Sequence, residues 1–153
     1  MEHIHINNGK RVAFIVQPAK KTALIEWSYF NKALLLQHDI IASGEAANVL
    51  EGTLHKPVQK FVTSPHGGYQ ELITLIADGK VDAVIFFRGT DETPVQKKAV
   101  KAIIHAALEA DIIIANNKIT ADFILTSPLM LQEKMPAGEA YLFQPGEEKN
   151  TAA

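Results

Sequence analysis

Cysteine is absent from the 153 residues, which excludes disulfides, thiolate zinc sites and a cysteine nucleophile while leaving the redox compartment open. An excess of charge of either sign is also missing. The formal net charge is -2, so no global electrostatic attraction to nucleic acid or to an anionic membrane is expected. No apolar run approaches the roughly 20 residues needed to cross a bilayer. Residues 1–10 are polar, carry His3, His5, Asn7 and Asn8, and lack the apolar segment of a secretory signal. His3 and His5 read as exposed alternate residues rather than as a metal site. No repeat, linker or low-complexity block interrupts the chain. Together these absences make a cytoplasmic protein without metal or cofactor the expectation, with neither nucleic acid nor membrane as a partner.

What is present is an ordinary globular balance, 47% hydrophobic and 21% charged, in a length that suits one domain with its own core. The expected division is a polar segment at 1–10, one domain at 11–145 and a flexible tail at 146–153. Short apolar runs alternate with stretches of helical period. Residues 11–16 (RVAFIV), 38–42 (HDIIA), 58–62, 81–87 (VDAVIFF) and 111–115 (DIIIA) read as strands, and 141–143 as a last edge strand. A helix is expected over 20–37, with Ala23, Trp27, Phe30 and Leu34 on one face and Trp27 and Phe30 in the core. Another is expected over 45–52, ended by Gly52, and a third over 66–78, with Leu72, Ile73 and Ile76 inward and Gly79 closing it. Over 93–109, Thr93 can cap, Pro94 suits the first turn, and Val95, Ala99, Ile103 and Ala107 share a face. A short helix begins at Thr120.

This order predicts an α/β protein: a single three-layer domain with a doubly wound, mainly parallel, five-stranded sheet. Ligands of such sheets bind beyond the carboxyl ends of the strands. That directs attention to the loops at 17–19, 43–45, 63–68, 88–93 and 116–120.

Those loops carry an ordered series of motifs. Residues 79–87 (GKVDAVIFF) resemble the G-K-[IV]-D-x-[VL]-I-F-F strand of methylglyoxal synthases. Thr120-Ala121-Asp122-Phe123-Ile124 with Ser127-Pro128 is similar to their A-T-A-D-F-[IL] and following S-P. Ser64-Pro65-His66-Gly67-Gly68-Tyr69-Gln70 resembles their G-P-x-G-G-D-Q, and Ser43-Gly44 resembles the start of their T-G-T-T loop. The resemblance runs from about Arg11 to Pro128 and implies a methylglyoxal synthase-like domain, divergent at the catalytic positions. The same fold serves as an allosteric domain in carbamoyl phosphate synthetases and as part of inosinate cyclohydrolase, so fold alone does not assign function.

The resemblance implies a reaction. Family enzymes convert dihydroxyacetone phosphate to methylglyoxal and phosphate: a carboxylate takes a carbon-bound proton, an enediolate forms, and phosphate leaves. That chemistry needs a base, stabilisation of the enediolate and a phosphate cradle. Where the family places its base, this chain has Tyr69, and a phenol with a pKa near 10 is a poor base at neutral pH. The family's H-D-x-x-K motif meets Gln17, Pro18 and Lys21, so only the lysine is kept. Gly89 stands at the aspartate after F-F-x, and Gln96, Lys97, Lys98 and Ala99 stand at the H-D-P-D cluster. The T-G-T-T loop meets Ser43, Gly44, Glu45 and Ala46. At about 4 Å and an effective dielectric near 20, a carboxylate at Glu45 would cost roughly 4 kcal/mol per charge pair against a bound phosphate.

The implied ligand-binding set is Gln17, Lys21, Ser43, Gly44, Glu45, Ser64, Pro65, His66, Gly67, Gly68, Tyr69 and Arg88. The catalytic residue is unassigned, with Glu71, His66 and Asp122 as weak candidates. Lys21 either holds an anion or pairs with Glu45. Tyr69 either stacks on a ligand or plugs the site. Arg88 either contacts an anion or is solvated, and His66 is either a ligand contact or a surface histidine. Asp122 reads as structural, satisfying free amides early in a helix. Glu71 lies two positions after Tyr69, on the opposite side of a helix. Lys97, Lys98 and Lys101 read as a solvated helix face.

Three functions follow. The first is a methylglyoxal synthase-like protein without efficient synthase activity that binds a small ligand, phosphorylated or not, at the strand ends. The second is a working synthase, a carbon-oxygen lyase using displaced residues. The third is a structural or interaction subunit with no ligand. A homohexamer is implied by the family alone.

Overall fold

The computed structural model describes residues 9–63 and 68–132. The expected edge strand at 141–143, the tail at 146–153 and most of the segment at 1–10 lie outside the described residues.

Five parallel strands form one sheet in the order β3-β2-β1-β4-β5. They are β1 (Arg11–Val16), β2 (Asp39–Ala42), β3 (Gln59–Lys60), β4 (Ala83–Phe87) and β5 (Ile113–Ala115). In β1 every residue after Arg11 is buried, and β4 is buried throughout. Such unbroken apolar runs are what a parallel strand covered on both faces requires. The two strands pair in register from Val12 opposite Ala83 to Val16 opposite Phe87. Bidentate contact between Arg11 and Asp82 fastens their amino ends, with Nε and Nη2 each 3.1 Å from a carboxylate oxygen.

The helices divide between the faces. Val12, Phe14 and Val16 point into a core with α1 (Lys21–Phe30), α3 (Gly44–Leu54) and α6 (Lys118–Leu125). Ala13 and Ile15 point into a second core with α4 (Gln70–Ala77) and α5 (Pro94–Ala110). The alternation follows from the two-residue period of a strand. This is the expected three-layer, doubly wound architecture.

Several local expectations are corrected. The first helix breaks at Asn31 into α1 and α2 (Lys32–Leu35). Its buried face is Leu24, Trp27, Ser28 and Leu35, whereas Phe30 is 83% exposed and not in the core. On α5 the inward residues are Val100, Ile103 and Ala107, and Val95 is exposed. Gly52 lies inside α3, which ends instead at His55 in the left-handed conformation (φ 57). The helix expected from His66 begins at Gln70 among the described residues, and the third strand shrinks to Gln59–Lys60. Other signals hold: Thr93 accepts from the Gln96 amide and Gln96 returns the bond, a capping box. Gly79 closes α4 with φ 73, a conformation that only glycine adopts at little cost.

His38, at the entry to β2, is 4% exposed, and its Nδ1 accepts the Lys10 backbone N–H at 2.9 Å. Burial, then the nearby Lys10 charge, push its pKa below the usual 6.5, with Asp39 opposing. The folded state therefore favours neutral His38, and the unfolded chain takes up the proton first. This contribution to stability is present above the ordinary histidine value and is lost as pH falls through the folded-state pKa. The melting temperature should fall on acidification from about pH 7.5 to about 5.5. It should fall less in His38→Asn, whose amide oxygen can still accept the Lys10 N–H. Identical slopes in the two proteins would remove His38 from the account.

Candidate functional site

In this strand order the chain leaves β1 toward β2 on one side and arrives at β4 on the other. The loops after β1 and β4 therefore part and leave a crevice at the carboxyl ends, where open α/β sheets bind ligands. Gln17 follows β1 directly, and its backbone N–H donates to the Phe87 carbonyl at 3.0 Å, which holds the crevice closed at its base.

The side chains in the crevice bond to one another. Gln17 is 7% exposed. Its Oε1 accepts the Gly89 N–H at 2.6 Å, and its Nε2 donates to Glu92 Oε2 at 2.5 Å. Arg88 donates to both oxygens of the same carboxylate, from Nε at 2.9 Å and from Nη2 at 2.6 Å. Its Nη1 reaches Asn116 Oδ1 at 3.2 Å, linking the loop after β5. The Glu92 side chain is only 3% exposed. The hydrogen-bonded Arg88 guanidinium holds the Glu92 carboxyl below the ordinary carboxylate range; burial opposes this, and Gln17 and the Lys97 charge assist. Arg88 is correspondingly harder to deprotonate.

Tyr69 is the residue before α4, half-buried, with its ring edge-on to Phe86 at 6.1 Å between centroids. Burial first, and the Glu92 charge second, raise its phenol pKa, so it is a neutral hydrogen-bond donor at physiological pH. Gly68 precedes it. Ser64, Pro65, His66 and Gly67 lie outside the described residues.

Around β2, Ser43 is buried and precedes α3 without a side-chain cap bond, and Gly44 opens the helix. Lys21, the first residue of α1, lies with Nζ 3.5 Å from Glu45 Oε1. Their side chains are 51% and 64% exposed. A pair so well hydrated contributes about 0–1 kcal/mol. Of the two alternatives for Lys21, the structure holds the pairing with Glu45. The desolvated acid of the crevice is Glu92.

Two weak catalytic candidates are bound elsewhere. Glu71 Oε1 accepts the Val62 backbone N–H, tying α4 to the segment after β3. Asp122 does not serve the free amides of its helix; Asn117 does, accepting from Thr120 at 3.0 Å. Asp122 instead accepts the indole N–H of Trp27 at 2.6 Å. That bond ties α6 to α1. Glu92 and Asn116 were not singled out from the sequence. The available signal for Glu92 was an acid four residues after Arg88 in a loop already expected at the strand ends.

Chemically, the crevice holds one bound carboxylate, one guanidinium committed to it, two amides and a neutral phenol. It can present hydrogen bonds to a polar ligand. An anion that takes the Nε and Nη2 donors of Arg88 has to displace Glu92 from them.

Methylglyoxal synthase from Pseudoalteromonas atlantica is 36% identical to this chain over 123 residues, covering 80% of the chain and 91% of that protein. Methylglyoxal synthase from Sodalis glossinidius is 34% identical over 124 residues, covering 81% of each. The crystal structure of methylglyoxal synthase from Elizabethkingia anophelis matches with a TM-score of 0.71 at 32% identity, covering 82% of both chains. No protein-family model matches the chain.

Replacing Asp122 by alanine leaves the Trp27 N–H without its acceptor, at a cost of about 1–3 kcal/mol. Asp122→Ala should therefore melt at a lower temperature with altered emission from Trp27, the single tryptophan. Asp122→Asn, which keeps an acceptor oxygen, should recover most of the loss. Equal stability of all three proteins would contradict this role.

Proposed function

The chain belongs to the methylglyoxal synthase family, and we propose that it binds a small polar ligand at the carboxyl ends of its strands without turning over dihydroxyacetone phosphate efficiently. The observation that carries this reading is the Glu92 carboxylate, desolvated and held by Arg88 and Gln17.

The reaction needs a base and a receptive cation. A base works best with a pKa near the operating pH, and Glu92 is shifted the other way. Tyr69, at the position the family resemblance gives to the base, is shifted upward. The Arg88 guanidinium is already neutralised at short distance, and Lys21 has Glu45 beside it. A substrate phosphate has to compete with an internal carboxylate that is pre-positioned and loses no translational freedom. A ligand that offers hydroxyl, carbonyl or amide groups exchanges hydrogen bonds with Gln17, Asn116 and the phenol without having to separate an ion pair.

The same residue favours a second reading. If a substrate phosphate did take Arg88, Glu92 would be released, its pKa would rise, and a desolvated carboxylate would stand in the crevice as a base. Methylglyoxal formation from dihydroxyacetone phosphate tests both readings. The binding reading expects wild-type turnover far below about 1 s⁻¹, the low end of ordinary enzymes. Turnover within the ordinary range overturns it, and loss of that turnover in Glu92→Gln would select the second reading.

A further inference from the structure

We infer that the chain carries a second ligand site, a cleft at the amino ends of β1, β2 and β3 that takes a small organic anion with an apolar body, such as an aryl phosphate. The cleft has a volume of 560 Å³. That lies within the range of small-molecule sites, about 300–1,000 Å³. It is independent of the proposed function. Arg11 opens β1 whereas Gln17 follows it, and 6 residues of strand at about 3.3 Å each put roughly 20 Å between the two places.

Charge sets the sign of the ligand. Arg11, Lys56 and Lys80 line the cleft against one carboxylate, Asp39. This is a local reversal in a chain whose formal charge is -2. Arg11 is committed to Asp82. Among the described residues neither Lys56 nor Lys80 has a carboxylate within ion-pair distance. These two ammonium groups are therefore available to an incoming anion, unlike the paired cations of the crevice.

The backbone brings the lysines together. Each follows a residue in the left-handed conformation just past a helix: His55 (φ 57) after α3 and Gly79 (φ 73) after α4. Lysines in such places also complement helix dipoles, but that role needs no cleft beside them. The cleft has an apolar wall as well, formed by Ile41, Leu75 and Pro57. Ile41 is part of the packed core on the α4 face, and the half-buried Leu75 packs against it. An anion alone would use the lysines and leave this wall wet, whereas an aryl phosphate uses both.

The test is an amide-resolved NMR titration with phenyl phosphate, with inorganic phosphate and phenol as the charge-only and body-only probes. Phenyl phosphate should shift the amides of Ile41, Lys56, Gln59 and Lys80 and not those of Gln17 and Gly89. It should bind about tenfold more tightly than either fragment. Lys56→Gln/Lys80→Gln should remain cooperatively folded and bind phenyl phosphate at least about tenfold more weakly. If the double variant misfolds, each single variant should show a loss of about threefold. The inference is overturned by shifts confined to Gln17 and Gly89, by phenyl phosphate binding no better than phosphate, or by undiminished binding in the variants.

Discussion

The pairing of β1 with β4 sets everything else in the structure. Residues 12–16 and 83–87 lie side by side at the centre of the sheet, buried from both faces. A full apolar side chain withdrawn from water stabilises by about 1.5–3 kcal/mol, and Phe14, Ile15, Ile85, Phe86 and Phe87 are all withdrawn. The chain runs outward from this pair in both directions, so the two central strands must end in loops that diverge. The crevice is a consequence of topology, and any side chain just past Val16 or Phe87 is delivered into it.

The residues delivered there complete each other. Gln17 comes from the loop after β1, Arg88 and Glu92 from the loop after β4, and Asn116 from the loop after β5. Their bonds run between groups of the chain itself, and the carboxylate at the centre faces almost no water. Its lowered pKa comes first from the hydrogen-bonded Arg88 guanidinium, so Glu92 and Arg88 constrain each other. The exposed Lys21–Glu45 pair near β2 is weak by comparison because water screens both ends. At the amino ends Lys56 and Lys80 line the cleft, and among the described residues neither has a carboxylate within ion-pair distance.

The fold was legible because its signals are local. Unbroken apolar runs mark the central strands, and Thr93 with Gln96 and Gly79 mark helix ends by chemistry contained within a few residues. Errors came where periodicity alone had to choose a face. Phe30 and Val95 match the helical spacing, yet α1 turns Leu24 and Ser28 inward, and α5 turns Val100. The candidate site was legible as a set of loops and only partly as residues. Glu45 drew attention because it stands in a recognisable loop, but its weight depends on hydration, which the sequence does not carry. Glu92 gains its weight from Gln17, 75 residues away, and from burial that exists only in the folded chain. Asp122 shows the same limit: its partner, Trp27, is 95 residues distant.

In the reading we propose, an internal carboxylate, not a missing scaffold, keeps phosphate from the crevice. This is tested most directly by titrating wild-type protein and Glu92→Gln with phosphoglycolate while following the Arg88 Nε–H and Gly89 amide signals. Removing the charge should strengthen binding at these two groups by at least about tenfold, equivalent to about 1.4 kcal/mol. Equal or weaker binding at Arg88 and Gly89 in Glu92→Gln would contradict the account.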